Sequence, residues 1–291
     1  MKAVRLAFLL VLLGPAAAAG APAEERFRPK GAHNNSVHRF HPDLDARFNA
    51  VRYGRWRALE TAWNSGIDQR IDREFSAYLL ALIADPPRFA PEADRVAPLL
   101  ARDAPTIFRA LRWGQTLEQQ LLDTLASADA RPALTQERLE RALRLYRRER
   151  YALSEPAEPG PARPEVLDRA PVSSRILIQG TRLFAAAAND LASSDFARQR
   201  WLVKTTVEEF DKSYAADRPP GDFTFRGAAP AAVSASPQIT DAIDRLARFR
   251  IEVFDALIPG GATPEARRSR DERLRKVAQR YGLSVEGIGG R

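Results

Sequence analysis

The chain has 291 residues, of which 45% are hydrophobic and 28% charged, with 45 Lys+Arg against 37 Asp+Glu, three histidines and no cysteine. Without a thiol there can be no disulfide, thiolate metal centre, cysteine nucleophile or lipoprotein acylation. The basic excess suits an anionic partner such as cell-wall polymer, lipopolysaccharide, acidic protein or nucleic acid, but the cations lie in segments that also carry acids, as on ordinary solvated faces.

At the N-terminus, Lys2 and Arg5 precede an apolar run from Leu6 to Leu13, which Gly14-Pro15 breaks before a stretch of small residues. This is the pattern of a secretory signal peptide over residues 1–23, with cleavage expected between residues 19 and 24. A spanning helix needs about 20 apolar residues, so no integral membrane span is expected after cleavage; an uncleaved anchor is the alternative. An Ala-rich, Arg-over-Lys, cysteine-free exported chain suits a bacterium with a GC-rich genome, and a periplasmic or extracellular location.

Residues 24–41 read as a polar lead-in. Beyond them the periodicity is helical nearly throughout. Leu44, Phe48, Val51, Leu59 and Trp63 form the stripe of a helix that starts at Pro42 or Asp43 and ends at Asn64-Ser65-Gly66. Ser65, three residues before Asp68, predicts the cap of a second helix carrying Ile71, Phe75, Tyr78 and Leu79, which stops at Asp85-Pro86-Pro87. So short a connection implies an antiparallel hairpin. A short helical piece is expected over 91–102. Pro105 then opens a longer helix with Ile107, Phe108, Leu111, Leu117, Leu121 and Leu125 inward. Thr135 is expected to cap the next, with Leu139, Leu143 and Tyr146 inward and Arg144, Arg147, Arg148 and Arg150 in water.

Residues 154–165, SEPAEPGPARPE, carry four prolines and one glycine. They predict a stiff linker between a helical subdomain over 42–153 and a second over 166–291. The second contains helices near 173–191 and 195–214, then an irregular stretch, 217–237, in which Asp222–Arg226 suits a short strand. Ile239, Ile243, Leu246, Phe249, Val253 and Leu257 mark a further helix, and Thr263-Pro264 opens the last. The expected fold is all-α: a bundle of antiparallel hairpins with about seven to nine helices, in one or two subdomains.

The motifs of familiar chemistries are missing. There is no HExxH, CxxCH, GxxxxGK[ST] or GxSxG, and no histidine follows a glutamate by three residues, as a di-iron bundle requires. All three histidines fall in HNNSVHRFHPDLD, residues 33–45. His33, His38 and His41, helped by Asp43 or Asp45, offer imidazole ligands for a divalent transition metal. The same segment also suits a polar approach to the first helix, with the rings in water. Arg47, Arg52, Arg55 and Arg57 interleave with Phe48, Tyr53, Trp56 and Trp63. They suit an anionic-partner surface, or a core stripe with arginine stems packed beside it. Glu208-Glu209 with Asp211, or Glu60 and Glu74, are the carboxylates available to a glycan-cleaving enzyme.

Residues 274–288, LRKVAQRYGLSVEGI, resemble the first helix and turn of a LysM peptidoglycan-binding module, in which Ala-x-x-Tyr-Gly-x-Ser precedes an apolar position. They are also similar to the helix-turn of a helix-turn-helix. The chain stops three residues later, so neither module is expected to be complete, and an exported DNA reader is not expected. The simpler expectation is a helix closed by Gly282 in a left-handed cap, followed by a frayed tail. The function these readings favour is non-enzymatic binding or scaffolding in the bacterial cell envelope, for an envelope component or a partner protein and without a resident cofactor. A metal-binding protein built on His33, His38 and His41 and a carboxylate-dependent glycan-cleaving enzyme are the alternatives.

Overall fold

Proline opens most of the helices. A computed structural model describes residues 35–127, 132–156, 164–215, 237–258 and 263–289. Among the described residues there are twelve helices and no strand: α1 (Ser36–Phe40), α2 (Pro42–Ser65), α3 (Gln69–Ala84), α4 (Ala93–Val96), α5 (Pro98–Asp103), α6 (Pro105–Leu125), α7 (Pro132–Arg147), α8 (Val166–Arg169), α9 (Pro171–Leu191), α10 (Phe196–Ala215), α11 (Pro237–Leu257) and α12 (Pro264–Arg280). Seven of the twelve begin at proline, where the missing N–H is one that no intrahelical bond would use. The fold is all-α as expected, with more helices than the predicted seven to nine because proline splits off α1, α4, α5 and α8. No helix of the described residues is long and apolar enough to cross a membrane.

The splitting has a fixed geometry. His41, Ala97, Ala104 and Ala170 each precede a proline and adopt φ from −138° to −127° and ψ near 60°. A residue before proline is pushed out of the helical region, so each ends one short helix and starts the next. His41 N–H still donates to Val37 O (2.8 Å), and its own carbonyl accepts from Asp45 N–H (3.1 Å). None of these four residues caps the following helix with its side chain.

Carboxylates from other helices take over that role. Glu60 on α2 accepts from Leu99 N–H (2.9 Å) and Leu100 N–H (3.1 Å) at the start of α5. Asp72 on α3 accepts from Val172 N–H (3.0 Å) and Ser173 N–H (2.8 Å) at the start of α9. Asp123 on α6 accepts from Val37 N–H (3.0 Å) in α1, and Asp255 on α11 from Val166 N–H (2.7 Å) in α8. A helix N-terminus carries unpaired donors and partial positive charge, which a carboxylate satisfies in one contact. Here that contact also ties two helices together.

Successive long helices pair as hairpins, α2 with α3, α6 with α7, α9 with α10 and α11 with α12, and α9 also packs on α2, α3, α6 and α11. One contiguous apolar core includes Leu44, Leu117, Phe184, Phe249 and Tyr281. It is thus drawn from both sides of the Pro-rich segment, whose residues 157–163 lie outside the described residues. Close crossings use glycine. A Cβ on Gly54 would stand 2.7 Å from Leu79 Cδ2 and 2.9 Å from Ile176 Cγ1, and one on Gly180 would collide with Val51 and the Arg55 guanidinium. The α2–α9 crossing depends on both glycines.

Three local expectations are corrected. The cap of α3 is Asp68 rather than Ser65: Asp68 is extended, and its carboxylate accepts from Ile71 N–H at 2.8 Å. Helix α7 begins at Pro132, so Thr135 lies inside it. Gly282 has the expected left-handed φ of 72°, and Leu283 N–H returns to Ala278 O at 2.9 Å. The described residues after it, up to 289, pack on the protein: Leu283 and Ile288 are buried and Arg275 donates to Ile288 O at 2.7 Å. The signal segment, the lead-in as far as residue 34, and the 217–237 stretch up to residue 236, with the strand expected at Asp222–Arg226, lie outside the described residues.

Candidate functional site

Two polar stripes face each other across a cleft of about 650 Å³. Asp45, Asn49 and Arg52 line one wall from α2, and Arg112, Gln115, Thr116 and Gln119 line the other from α6. Both sets follow three- and four-residue spacing, which puts each on one helix face. The α3–α4 connection covers the cleft with Arg88, Phe89 and Pro91, and α1 brings His38 to its edge.

The wall groups are fixed by a relay of hydrogen bonds. Asn49 donates from Nδ2 to the carbonyls of Pro87 and Arg88 (both 3.2 Å), which holds the covering loop. Its Oδ1 accepts from Arg52 Nη1 at 3.0 Å, while Arg52 Nη2 donates to Gln119 Oε1. Gln119 Nε2 then donates to Asp123 Oδ2 at 3.1 Å, the carboxylate that also holds α1 through Val37. Trp56 Nε1 donates to Gln115 Oε1 at 3.1 Å. Buried planar amides and guanidinium groups held in this way keep their donor directions before any ligand arrives.

The two described histidines part company here. His38 Nδ1 lies 2.9 Å from Asp45 Oδ2, with the imidazole 40% and the carboxylate 11% exposed. The His38 ring is nearly parallel to that of Phe89, at a centroid distance of 6.4 Å. His41, three residues on, turns into the protein: its Nε2 is 3.0 Å from Gln199 Oε1 on α10, and its ring meets Phe196. Burial pushes the His41 pKa down, the Gln199 hydrogen bond opposes this, and the nearby Arg200 charge adds to it. The rings of His38 and His41 thus serve different partners, and His33 lies outside the described residues. Among the described residues no three His, Asp or Glu side chains are arranged to hold a metal ion.

The four arginines of the basic-aromatic helix also separate. Arg47 pairs with Asp211 on α10 at 2.8 Å. Arg52 is buried in the cleft wall, and Arg57 is exposed. Arg55 enters the core, where Glu118 lies 3.6 Å from it and 2.5 Å from Arg250. Burial pushes the Glu118 carboxyl up, but Arg250 and Arg55 outweigh it and hold it below the usual carboxylate range. Burial, with Arg250 assisting, pushes Arg55 down to about 9, so it keeps its proton at neutral pH. Phe48, Val51, Leu59 and Trp63 are buried, as a core stripe requires.

Among the carboxylates, Glu60 is occupied in capping α5, Glu74 forms an exposed pair with Arg70, and Glu208 faces Lys204 at 3.9 Å. None of these three lines the cleft. The α6 wall and Phe89 were not singled out from the sequence. Arg112, Gln115, Thr116 and Gln119 do share helical spacing opposite Ile107 and Leu111, but so does any solvated helix face. An aromatic residue just after Pro86-Pro87, 69% exposed in the fold, was the stronger available signal. The chain matches no protein-family model, no curated protein and no solved structure.

Proposed function

We propose that this chain is an exported binding protein of the bacterial cell envelope, and that it holds a small anion-bearing ligand in the cleft between α2 and α6. The observation that carries the reading is a polar wall, held in place by its own hydrogen bonds, around about 650 Å³ of space, a volume in the range of small-molecule sites. Guanidinium and carboxylate groups are equal in number around the cleft, three of each, but two of the carboxylates are already engaged. Arg52, Arg88, Arg112 and His38 line the cleft with Asp45, Glu92 and Asp94, but Asp45 is engaged by His38 and Glu92 by Arg95 at 2.7 Å. Guanidinium forks and amides suit carboxylate or phosphate oxygens. Phe89 adds an exposed apolar face for the rest of the ligand.

The Trp56–Gln115 hydrogen bond provides the assay. Tryptophan fluorescence of the mature protein is titrated with phosphate, glutarate and acidic saccharide fragments. At least one is expected to saturate, and Arg112→Gln is expected to weaken it about tenfold, one guanidinium–anion contact. Flat titrations up to about 10 mM, a free energy too small for a function, would remove the cleft from the reading. Export is tested by expressing the chain with its own N-terminus and weighing the protein in each cell fraction. Unprocessed chain confined to the cytoplasm would overturn it.

A further inference from the structure

We infer that His38 and Asp45 form the acid–base pair of a hydrolytic site, in which His38 activates water against a carboxylic ester that carries a negative charge elsewhere. This rests on the cleft being the ligand site and adds that the ligand is turned over. An ionised Asp45 can only accept hydrogen bonds. Its oxygen lies 2.9 Å from His38 Nδ1, so in the neutral ring that nitrogen carries the hydrogen and the basic lone pair is left on Nε2. A carboxylate that fixes the tautomer and steadies the imidazolium is the arrangement general-base histidines need.

The rest of the fold keeps this pair in place. Val37, next to His38, is tied by its N–H to Asp123 on α6, and Asp45 lies in the first turn of α2. These ties fix the backbone on both sides of the pair, and the Nδ1–carboxylate hydrogen bond sets the ring. Yet it lines the cleft and is 40% exposed, whereas His41 is buried against α10. The Thr116 hydroxyl donates to Arg112 O at 3.1 Å and makes no hydrogen bond to His38, and water serves as the nucleophile in this proposal.

The step balances without a cofactor. Water oxygen bonds to the acyl carbon as Nε2 takes one of its protons. The oxyanion that forms is stabilised by the Arg52 or Arg112 guanidinium. The ester C–O bond then breaks, and the leaving alkoxide takes the proton back from Nε2. The products are a carboxylic acid and an alcohol, with no change of oxidation state. His38 is the catalytic residue, and Asp45 is a positioning residue. The charged groups that share the cleft with His38 are Asp45 and Arg52 from α2, Arg112 from α6, and Arg88, Glu92 and Asp94 from the covering segment and α4.

The test uses the mature protein with the mono-4-nitrophenyl ester of glutaric acid, and 4-nitrophenyl acetate as the uncharged comparison. Saturable release of nitrophenolate is expected, with kcat/KM about tenfold higher for the anionic ester, the size of one charge contact. His38→Gln is expected to lose about a hundredfold in kcat and the dependence of the rate on a single deprotonation. Asp45→Asn is expected to lower kcat with KM little changed and to displace the pH profile, which loss of a merely structural contact would not do. Urea unfolding of both variants confirms that they fold. A folded His38→Gln protein as fast as the native one, or a rate that never saturates, overturns the inference. Glutarate itself separates the two readings. If it binds by tryptophan fluorescence while its ester is untouched, hydrolysis falls and binding stands; if the ester is untouched and glutarate, phosphate and the saccharides all fail to bind, both fall.

Discussion

The two sides of the α1–α2 corner use the same residue types to opposite ends. On the core side, carboxylates and the buried imidazole meet partners from other helices: Glu60 and Asp72 accept backbone N–H groups, His41 meets Gln199, and Glu118 lies between Arg55 and Arg250. On the cleft side His38, Arg88, Arg112 and Phe89 line open space. Buried polar groups need partners or they destabilise the fold, so the core-side pairings are explained by stability alone. The cleft-side groups also border space that a ligand can enter. They mark where function is to be sought.

If that division holds, core-side substitutions change stability and cleft-side substitutions change binding. The largest effect is expected at Asp72, which is 3% exposed and accepts two N–H groups at the start of α9. Asp72→Ala leaves those donors without their acceptor next to the most connected helix. The expected loss is about 3 kcal/mol, read as a shift in the urea midpoint with the slope unchanged. Asp45→Asn, on the other side, keeps a side-chain oxygen that can accept from His38 and is expected to lose less than about 1 kcal/mol. Equal losses at Asp72 and Asp45 would erase the distinction.

A smaller core-side effect is expected at Gly180. Alanine is favoured over glycine inside a helix by about 1 kcal/mol. Here its Cβ would collide with Val51, a buried side chain, and with the Arg55 guanidinium held beside Glu118. Overpacking costs about 1–3 kcal/mol, so Gly180→Ala is expected to lose about 1 kcal/mol net by thermal or urea unfolding. A gain in stability would mean that α2 and α9 separate easily, and that the core side is softer than its pairings suggest.

The helical stripes were legible because their period is local: Phe48, Val51, Leu59 and Trp63 are enough to orient α2. The trans caps were not. Nothing near Pro171 in the chain points to Asp72, and nothing near Pro98 points to Glu60. These are contacts between residues about 40 to 100 positions apart, and a carboxylate that caps another helix looks like any other acid in the sequence. The histidine segment shows the same limit. Its polarity was plain, but the inward turn of His41 depends on Gln199, 158 residues away. The His38–Asp45 contact is local, and Asp45 was already a suspected helper of the imidazoles. The cleft itself requires α6 to meet α2, which no single-segment pattern reveals.

The smallest effect expected is a difference in pH response at His41. Burial holds its folded pKa below the ordinary value of 6.5. The ring is therefore neutral in the fold under conditions where the unfolded chain already binds a proton. Its contribution to stability is complete above about 6.5 and is lost as pH falls from there towards the folded value. His41→Asn removes the titrating group, so the difference in unfolding free energy between native protein and variant is expected to narrow between pH 7.5 and pH 5.5. Taking the difference at each pH cancels Asp190 and Asp255, whose carboxyls burial pushes up. A difference that stays constant across this range would mean that the imidazolium is accommodated beside Gln199 and Arg200. His41 would then be as free to change charge as a group in the cleft, and the boundary between the two sides would have to be drawn behind α1 instead of through it.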